Sequence, residues 1–316
     1  MGNLINLIYN ELFKIYIRKS TWAMYIILAG LIIGGAVLTN SFDNTNERYA
    51  GDNWREVLEE ENAAIEEEMG AVAGDGSYVN WEYEKNDFYL ENDIQPSYTT
   101  WDYSFENTGL LSIVSLFTII IGAGIVANEF RWGTIKQLLI RPISRSKILA
   151  SKYIAVLIFA LVTSVFLILF SWIIGALFFG VNGFDSSIVL EQNGEYLHVS
   201  AINEILSSLG YGFVNLIMMT TFAFMISTVF RNSSLAIGTA IFLMMAGNTI
   251  VAIFMEKEWA KYILFANTDL SQYANGKEPF IEGMSLGFSI TMLIIYYAIF
   301  QFLSWFVFAK RDVAGQ

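Results

Sequence analysis

Few residues of this chain have the types and spacing that catalysis needs. The sequence contains no cysteine and a single histidine, His198, so neither thiol chemistry nor a histidine-based metal site is expected. It contains no G-x-x-x-x-G-K-[S/T] phosphate-binding loop, no Ser–His–Asp arrangement and no His-Glu-x-x-His motif. The sequence therefore predicts a chain that is not an enzyme, has no catalytic residue, and binds no cofactor or metal of its own.

The most informative stretch is residues 128–147, NEFRWGTIKQLLIRPISRSK, which is basic and lies between two apolar runs. Thr134 and Gln137 have the spacing of a helix capping box, and Pro142 disfavours helix at the residue before it. The short helix predicted between them carries a small apolar face, formed by Ile135, Leu138 and Leu139. A basic loop needs no such face for membrane topology, so we interpret it as a docking surface for a partner protein.

The composition indicates a membrane protein, with 55% hydrophobic and only 15% charged residues. A helix must contain about 20 apolar residues to cross a bilayer core of roughly 30 Å. Six runs are long enough: 21–38, 110–127, 153–179, 205–230, 235–254 and 286–308. None has an acidic or basic residue in its interior, and the three prolines lie outside all of them. A large soluble protein could not cover six such helices.

The charges predict the orientation of these spans. Twelve basic and three acidic residues lie before the first span, in the second and fourth inter-span loops, and after the last span, a net charge of +9. The remaining six basic and 27 acidic residues give −21, and the two values make the total of −12. Lysine and arginine concentrate on the cytoplasmic side of membrane proteins. We therefore expect a multi-pass membrane protein with both termini in the cytoplasm.

The first 20 residues have an amphipathic helical pattern. A polar stripe (Asn3, Asn6, Asn10, Lys14 and Arg18) opposes an apolar one (Leu4, Ile8, Leu12, Ile15 and Tyr16). This pattern is typical of a helix that lies in the membrane interface. A cytoplasmic extension of the first span would also be consistent with it.

Residues 41–107 form an insertion with 18 acidic and three basic residues, a net charge of −15. The spacing of apolar residues predicts an amphipathic helix over 53–69, and aromatic residues are dense from 78 to 105. The insertion is then either a small packed cap outside the membrane or a binding platform for a cationic or amphiphilic substrate. Of the two, the packed cap is the preferred interpretation.

The segment around residue 134 resembles the signature of bacterial ABC-transporter permeases of the ABC-2 type. The matching residues are Glu129-Phe130, Gly133-Thr134, Leu138-Leu139, Pro142, Ser144-Arg145 and Lys152. The ending Phe308-Ala309-Lys310-Arg311-Asp312 is similar to the closing motif of that family. The resemblance covers the chain apart from 41–107. That insertion resembles the drug, bacitracin or lantibiotic-resistance type of permease.

The resemblance implies an efflux function in which this chain forms the translocation pathway. It implies a second permease copy or paralogue, and a separate cytoplasmic ABC ATPase that holds ATP and Mg. The coupling residues that it implies are Glu129, Gly133, Thr134, Ile135, Leu138, Leu139, Arg141, Pro142 and Arg145. The lipid bilayer is the remaining partner, and no nucleic acid is expected. The alternative is a non-transport membrane sensor or assembly protein that presents an acidic extracellular domain.

The expected fold class is an all-α integral membrane protein with six transmembrane helices. Its predicted organisation is an N-terminal interfacial helix (1–20), a first span (21–40), an extracellular acidic insertion (41–107), and five further spans (108–316) with a cytoplasmic coupling loop at 128–147.

Overall fold

The structure is a computed structural model, and it describes residues 2–72, 81–134, 143–181, 186–230, 233–276 and 279–310. It is mostly helical, and among the described residues six helices are long and apolar enough to cross a membrane. These helices coincide with the six apolar runs of the sequence. The expected number and position of the candidate spans are therefore confirmed.

The six candidate spans are α2 (Lys19–Phe42), α7 (Leu111–Arg131), α8 (Arg145–Phe178), α9 (Ala201–Val229), α10 (Ser233–Phe254) and α12 (Leu286–Lys310). The shorter helices are α1 (Gly2–Tyr16), α3 (Thr45–Arg48), α4 (Trp54–Val72), α5 (Trp81–Glu91), α6 (Thr100–Glu106) and α11 (Leu264–Thr268). Three short 3-10 helices occupy Asn107–Leu110, Glu258–Tyr262 and Leu270–Gly276.

The chain divides into two compact units. Unit 1 contains residues 1–29, 108–168 and 206–316, and unit 2 contains 30–107 and 169–205. In unit 1, α7 is the most enclosed candidate span: 72% of its most apolar stretch is buried, against 11% for α10. The outward faces of the other spans keep large apolar side chains exposed, as a lipid environment allows.

The hydrophobic core of unit 1 joins α7, α9, α10, α11 and α12. It is built mainly from small and flexible apolar side chains, which allow helices to approach closely. Its buried members include Ile119, Ala123, Met218, Met219, Ala223, Ala236, Ala240, Leu293 and Phe300.

Helix α1 differs from its predicted face pattern. Ile15, placed on the apolar face by the sequence, is buried within unit 1 together with Glu11. A separate apolar row of Ile5, Tyr9 and Phe13 is 57–68% exposed. The helix therefore has one face packed on the protein and a second apolar face that is open.

Unit 2 has its own small core beneath the acidic helix α4. Tyr49, Trp54, Leu58 and Tyr89 are buried there, and Val189 packs against them. The predicted amphipathic helix over 53–69 is confirmed, since α4 runs from Trp54 to Val72.

Helix α6 is fixed at its start within unit 2. Thr99 and Asp102 form a capping box, in which the Asp102 carboxylate accepts from the Thr99 backbone N–H at 2.8 Å. The Thr100 hydroxyl donates to the carbonyl of Trp172 at 2.7 Å. Asp102 is therefore held in one position by its own helix end.

A β-hairpin in unit 2 corrects the expectation of an all-α chain. Strand β1 (Ser187–Gln192) pairs antiparallel with β2 (Glu195–Ser200). Asn193 and Gly194 join them with φ values of 57° and 84°, the left-handed conformations that a two-residue type I′ turn requires. The Asn-Gly pair is a strong hairpin signal, and the sequence interpretation overlooked it.

Glycines in the candidate spans have different surroundings. A Cβ added at Gly30 or Gly34 of α2 would meet no described atom within 4 Å. A Cβ on Gly247 of α10 would instead lie on the ring of Phe265 in α11. Gly247 is therefore a true close-packing position.

We predict that Gly247→Ala destabilises the protein by about 1–3 kcal/mol, because the added methyl must displace an aromatic ring in a packed core. Gly238→Ala, in the same helix, has open space and should be neutral or stabilising by up to about 1 kcal/mol. Thermal unfolding midpoints of both purified variants test this difference. Equal midpoints would contradict the close packing of α10 on α11.

Candidate functional site

Four charged side chains from three helices of unit 1 meet in one cluster. Lys152 of α8 places its Nζ 2.8 Å from Glu11 Oε2 of α1 and 2.9 Å from Glu129 Oε1 of α7. Lys14 of α1 places its Nζ 2.9 Å from Glu11 Oε1 and 3.0 Å from Glu129 Oε1. We call these four residues the ion cluster. Each ammonium group bridges both carboxylates, so the cluster joins α1, α7 and α8.

The ion cluster is largely removed from solvent. Lys152 is fully buried, and Glu11 and Glu129 are 6% and 7% exposed. Charges are buried at acceptable cost only when they are paired and hydrogen-bonded. Two ammonium and two carboxylate groups leave no net charge, and removal of one partner of such a pair costs about 3–5 kcal/mol.

The turn that follows α7 completes the surroundings of Glu129. Gly133 has φ of 71°, a left-handed conformation that glycine adopts without strain at a helix end. The chain reverses there, and the Thr134 hydroxyl donates to the Glu129 carboxylate. Thr134 therefore fixes the orientation of the carboxylate that both lysines share.

The neighbours of Lys14 keep its ammonium group charged. Burial acts to lower the pKa of Lys14, but the hydrogen bonds and negative charges of Glu11 and Glu129 outweigh it and raise the pKa above its ordinary value. Lys14 therefore keeps its positive charge at neutral pH.

A second connection joins the start of α8 to the end of α12. The Arg145 guanidinium donates to the backbone carbonyl of Ala309 at 2.8 Å. A cation at this position satisfies one of the free carbonyls of the last helical turn and complements the helix dipole. The two sequence motifs that carry the family resemblance, around residues 145 and 309, thus lie together.

The structure brings together some of the predicted coupling residues. Glu129, Gly133 and Thr134 form one continuous helix end, and Arg145 begins α8. The other predicted coupling residues, together with Gln137 of the predicted capping box, lie outside the described residues: Ile135, Leu138, Leu139, Arg141 and Pro142. The coupling helix stays a prediction from the sequence.

Glu11, Lys14 and Lys152 were missed as site residues. Lys14 was noted only in the polar stripe of the first helix, Lys152 only in the family signature, and Glu11 only in the charge count. The sequence did contain a signal: Glu11 lies three residues before Lys14 in a helix whose other residues are uncharged, and Lys152 directly precedes the apolar run of α8. Isolated charges at the borders of apolar segments must find partners when the segments pack.

The arrangement of the ion cluster is that of a structural connection between helices. Its carboxylates are engaged by ammonium groups, and its oxygens do not surround an open position. Within the described part of the chain, no group of three or more His, Cys, Asp or Glu side chains is placed to hold a metal ion.

Among the described residues, six helices are long and apolar enough to cross a membrane, and many of their large apolar side chains are exposed. These features indicate a mostly helical, multi-pass membrane protein. A family model described as protein of unknown function, DUF2705, matches residues 71–314. The chain belongs to this family.

Two proteins of Bacillus subtilis (strain 168) are similar to the chain. It is 42% identical over 317 aligned positions to the uncharacterized protein YhcI, covering 99% of this chain and all of that protein. It is 34% identical over 203 positions to the uncharacterized membrane protein YdbK, covering 64% of this chain and 78% of that protein.

We predict that Lys152→Met lowers stability by about 3–5 kcal/mol, because it leaves two buried carboxylates with one ammonium group between them. Lys147→Met makes the same change one turn earlier on α8, at an exposed position, and should stay within about 0.5 kcal/mol of the parent. The measurements are the unfolding midpoint and the amount of protein in the membrane. Equal unfolding midpoints and equal amounts of the two variants in the membrane would show that the ion cluster does not hold these helices together.

Proposed function

We propose that this chain is the permease subunit of an ATP-driven ABC exporter in the bacterial cell membrane. A second copy or paralogue completes the translocation pathway, and a separate cytoplasmic ATPase binds ATP and Mg. The observation that carries the proposal is the ion cluster, which holds Glu129 near the end of α7. In the sequence, α7 is followed by residues 135–142, the segment predicted to dock the ATPase.

The chain connectivity makes this place suitable for coupling. Helix α7 ends at Arg131 and α8 begins at Arg145, so the docking segment is bounded by two candidate spans. A partner that displaces the segment pulls on both helix ends. The ion cluster ties those ends to each other and to α1 through contacts of 2.8–3.0 Å. Movement at the docking segment would therefore reach three helices together.

The charge distribution supports a cytoplasmic position for this end of the molecule. The two lysines and two glutamates of the ion cluster cancel in charge. The net +9 of the proposed cytoplasmic segments therefore comes entirely from residues outside the cluster. The exposed row of Ile5, Tyr9 and Phe13 on α1 suits contact with the acyl chains at a membrane interface. Of these features, the net +9 favours an inside N-terminus.

The proposed topology places position 137 in the cytoplasm and position 75 outside. We predict that Asp75→Cys, in this cysteine-free chain, is labelled by a membrane-impermeant thiol reagent in intact cells. Gln137→Cys should be labelled only after the cells are opened. Labelling of position 137 in intact cells, or no labelling of position 75 in intact cells, would contradict this orientation.

The docking prediction concerns Leu138. Leu138→Asp should abolish co-purification with the ATPase, because an unpaired charge buried in an apolar interface costs several kcal/mol and each 1.4 kcal/mol is a tenfold loss of affinity. Leu197→Asp, on the β-hairpin, is the matched control and should keep the complex. The readouts are recovery of a P-loop ATPase with the tagged chain from membranes, and its ATP hydrolysis.

A complex that forms equally well with Leu138→Asp would remove the docking assignment. If no ATPase is recovered with the unaltered chain, the permease proposal is replaced by the alternative of a membrane sensor or assembly protein.

A further inference from the structure

A cavity of about 460 Å³ lies entirely within unit 2. Its walls come from α5, the loop that leads into α6, α6 itself and strand β1. A second cavity of about 360 Å³ shares Tyr89, Asp102 and Val189 with it, so the two cavities are neighbours. Ligand sites for small molecules commonly have volumes of roughly 300–1,000 Å³.

The larger cavity is strongly acidic. Four carboxylates line it (Asp43, Glu82, Asp102 and Glu106) together with the single cation Lys85, a net charge of −3. Asp43, Asp102 and Glu106 accept hydrogen bonds from Thr45, Thr99 and Tyr98 at 2.8, 2.8 and 2.7 Å. Among the described residues these three carboxylates form no salt bridge, and the one cation that lines the cavity with them is Lys85, so negative charge remains in excess.

Aromatic side chains stand among these carboxylates. Tyr49, Tyr89, Tyr98 and Phe105 line the same cavity, and Trp81, 64% exposed, lies on its rim. Ring faces attract cations, and the attraction is strongest for a cation that has lost part of its water. Burial and then the charge of nearby acids raise the pKa values of Tyr89 and Tyr98, which reflects the negative potential of the site.

Asn86 supplies a third feature of the cavity wall. It is 6% exposed, and its side-chain nitrogen has no hydrogen-bond partner among the described residues. A buried donor without a partner is costly, and a carbonyl oxygen of a ligand would satisfy it. A divalent metal ion would not accept a hydrogen bond from Asn86 and would not use the aromatic rings. In the described part of the chain, the carboxylates are also not grouped as metal ligands.

We propose that this cavity binds an amphiphilic organic cation with the chemistry of a basic peptide. A guanidinium or ammonium group sits among Asp43, Asp102 and Glu106. A flanking apolar group packs on the rings, and a backbone carbonyl accepts from Asn86. The site goes beyond the proposed transport function, because binding here requires neither an ATPase nor movement of the ligand across the membrane.

The test measures equilibrium binding by calorimetry with the full chain in lipid nanodiscs. The probe is N-acetyl-Phe-Arg-amide, and the matched ligand is N-acetyl-Phe-citrulline-amide, in which a neutral urea replaces the guanidinium. We expect the arginine peptide to bind at least about tenfold more tightly at 0.1 M salt. The difference should shrink at 1 M salt, where the Debye length falls from about 10 Å to about 3 Å.

Two double variants separate a site from general attraction to an acidic surface. Asp43→Asn with Glu106→Gln keeps the acceptor oxygens but removes two charges from the cavity. Glu59→Gln with Glu60→Gln removes two charges from the exposed surface of α4 in the same insertion. The first pair should weaken binding of the arginine peptide at least tenfold, and the second less than twofold. Equal losses, equal affinity for both peptides, or no binding at millimolar peptide would overturn the proposal.

Substitution of Lys85 should strengthen binding, a result that a damaged fold would not produce. Its Nζ lies 6.0 Å from the centre of the Tyr89 ring, inside the same cavity. Lys85→Met removes this competing cation and should strengthen binding of the arginine peptide about threefold or more, with little effect on the citrulline peptide. Weaker binding of the arginine peptide to this variant would contradict the proposed position of the ligand charge.

Discussion

The structure depends on the rule that a charge removed from water must be met by an opposite charge. Lys152 is fully buried, and it is tolerated because Glu11 and Glu129 reach it from two other helices at 2.8 and 2.9 Å. Helix packing in a membrane gains little from the hydrophobic effect, since lipid tails are as apolar as leucine. An ion cluster that is satisfied only when α1, α7 and α8 are together therefore specifies their arrangement in a way that apolar surfaces cannot.

The same rule has a different outcome in unit 2. There Asp43, Asp102 and Glu106 accept hydrogen bonds from neutral groups, and the described residues leave their charges without ionic partners. Carboxylates whose charge is neutralised by lysines of the same chain form a rigid connection. Carboxylates whose charge is left for a ligand to neutralise form a binding site. Units 1 and 2 thus use carboxylates for two purposes: one set of acids holds helices, and the other keeps a cavity attractive to cations.

The two proposals are independent because they rest on different units. The permease assignment depends on the ends of α7 and α8, the segment between them and the family resemblance. The ligand assignment depends on a cavity formed by α5, α6 and β1. A sensor that presents the acidic unit outside the membrane would have the ligand site but would not be a permease. A transporter whose substrate enters elsewhere would be a permease without this ligand site.

The sequence by itself determined the class of the protein and the position of its six long helices, because an apolar run of about 20 residues has few other stable structures. It also predicted α4 from helical spacing, and it contained the unused Asn193-Gly194 hairpin signal. Only the tertiary structure decided which charges meet. Glu11 and Lys152 are 141 residues apart, and Glu129 and Lys152 are 23 residues apart on different helices, so local pattern carries no information about these contacts. The cavity likewise arises from Asp43, Asp102 and β1, which the fold alone brings together.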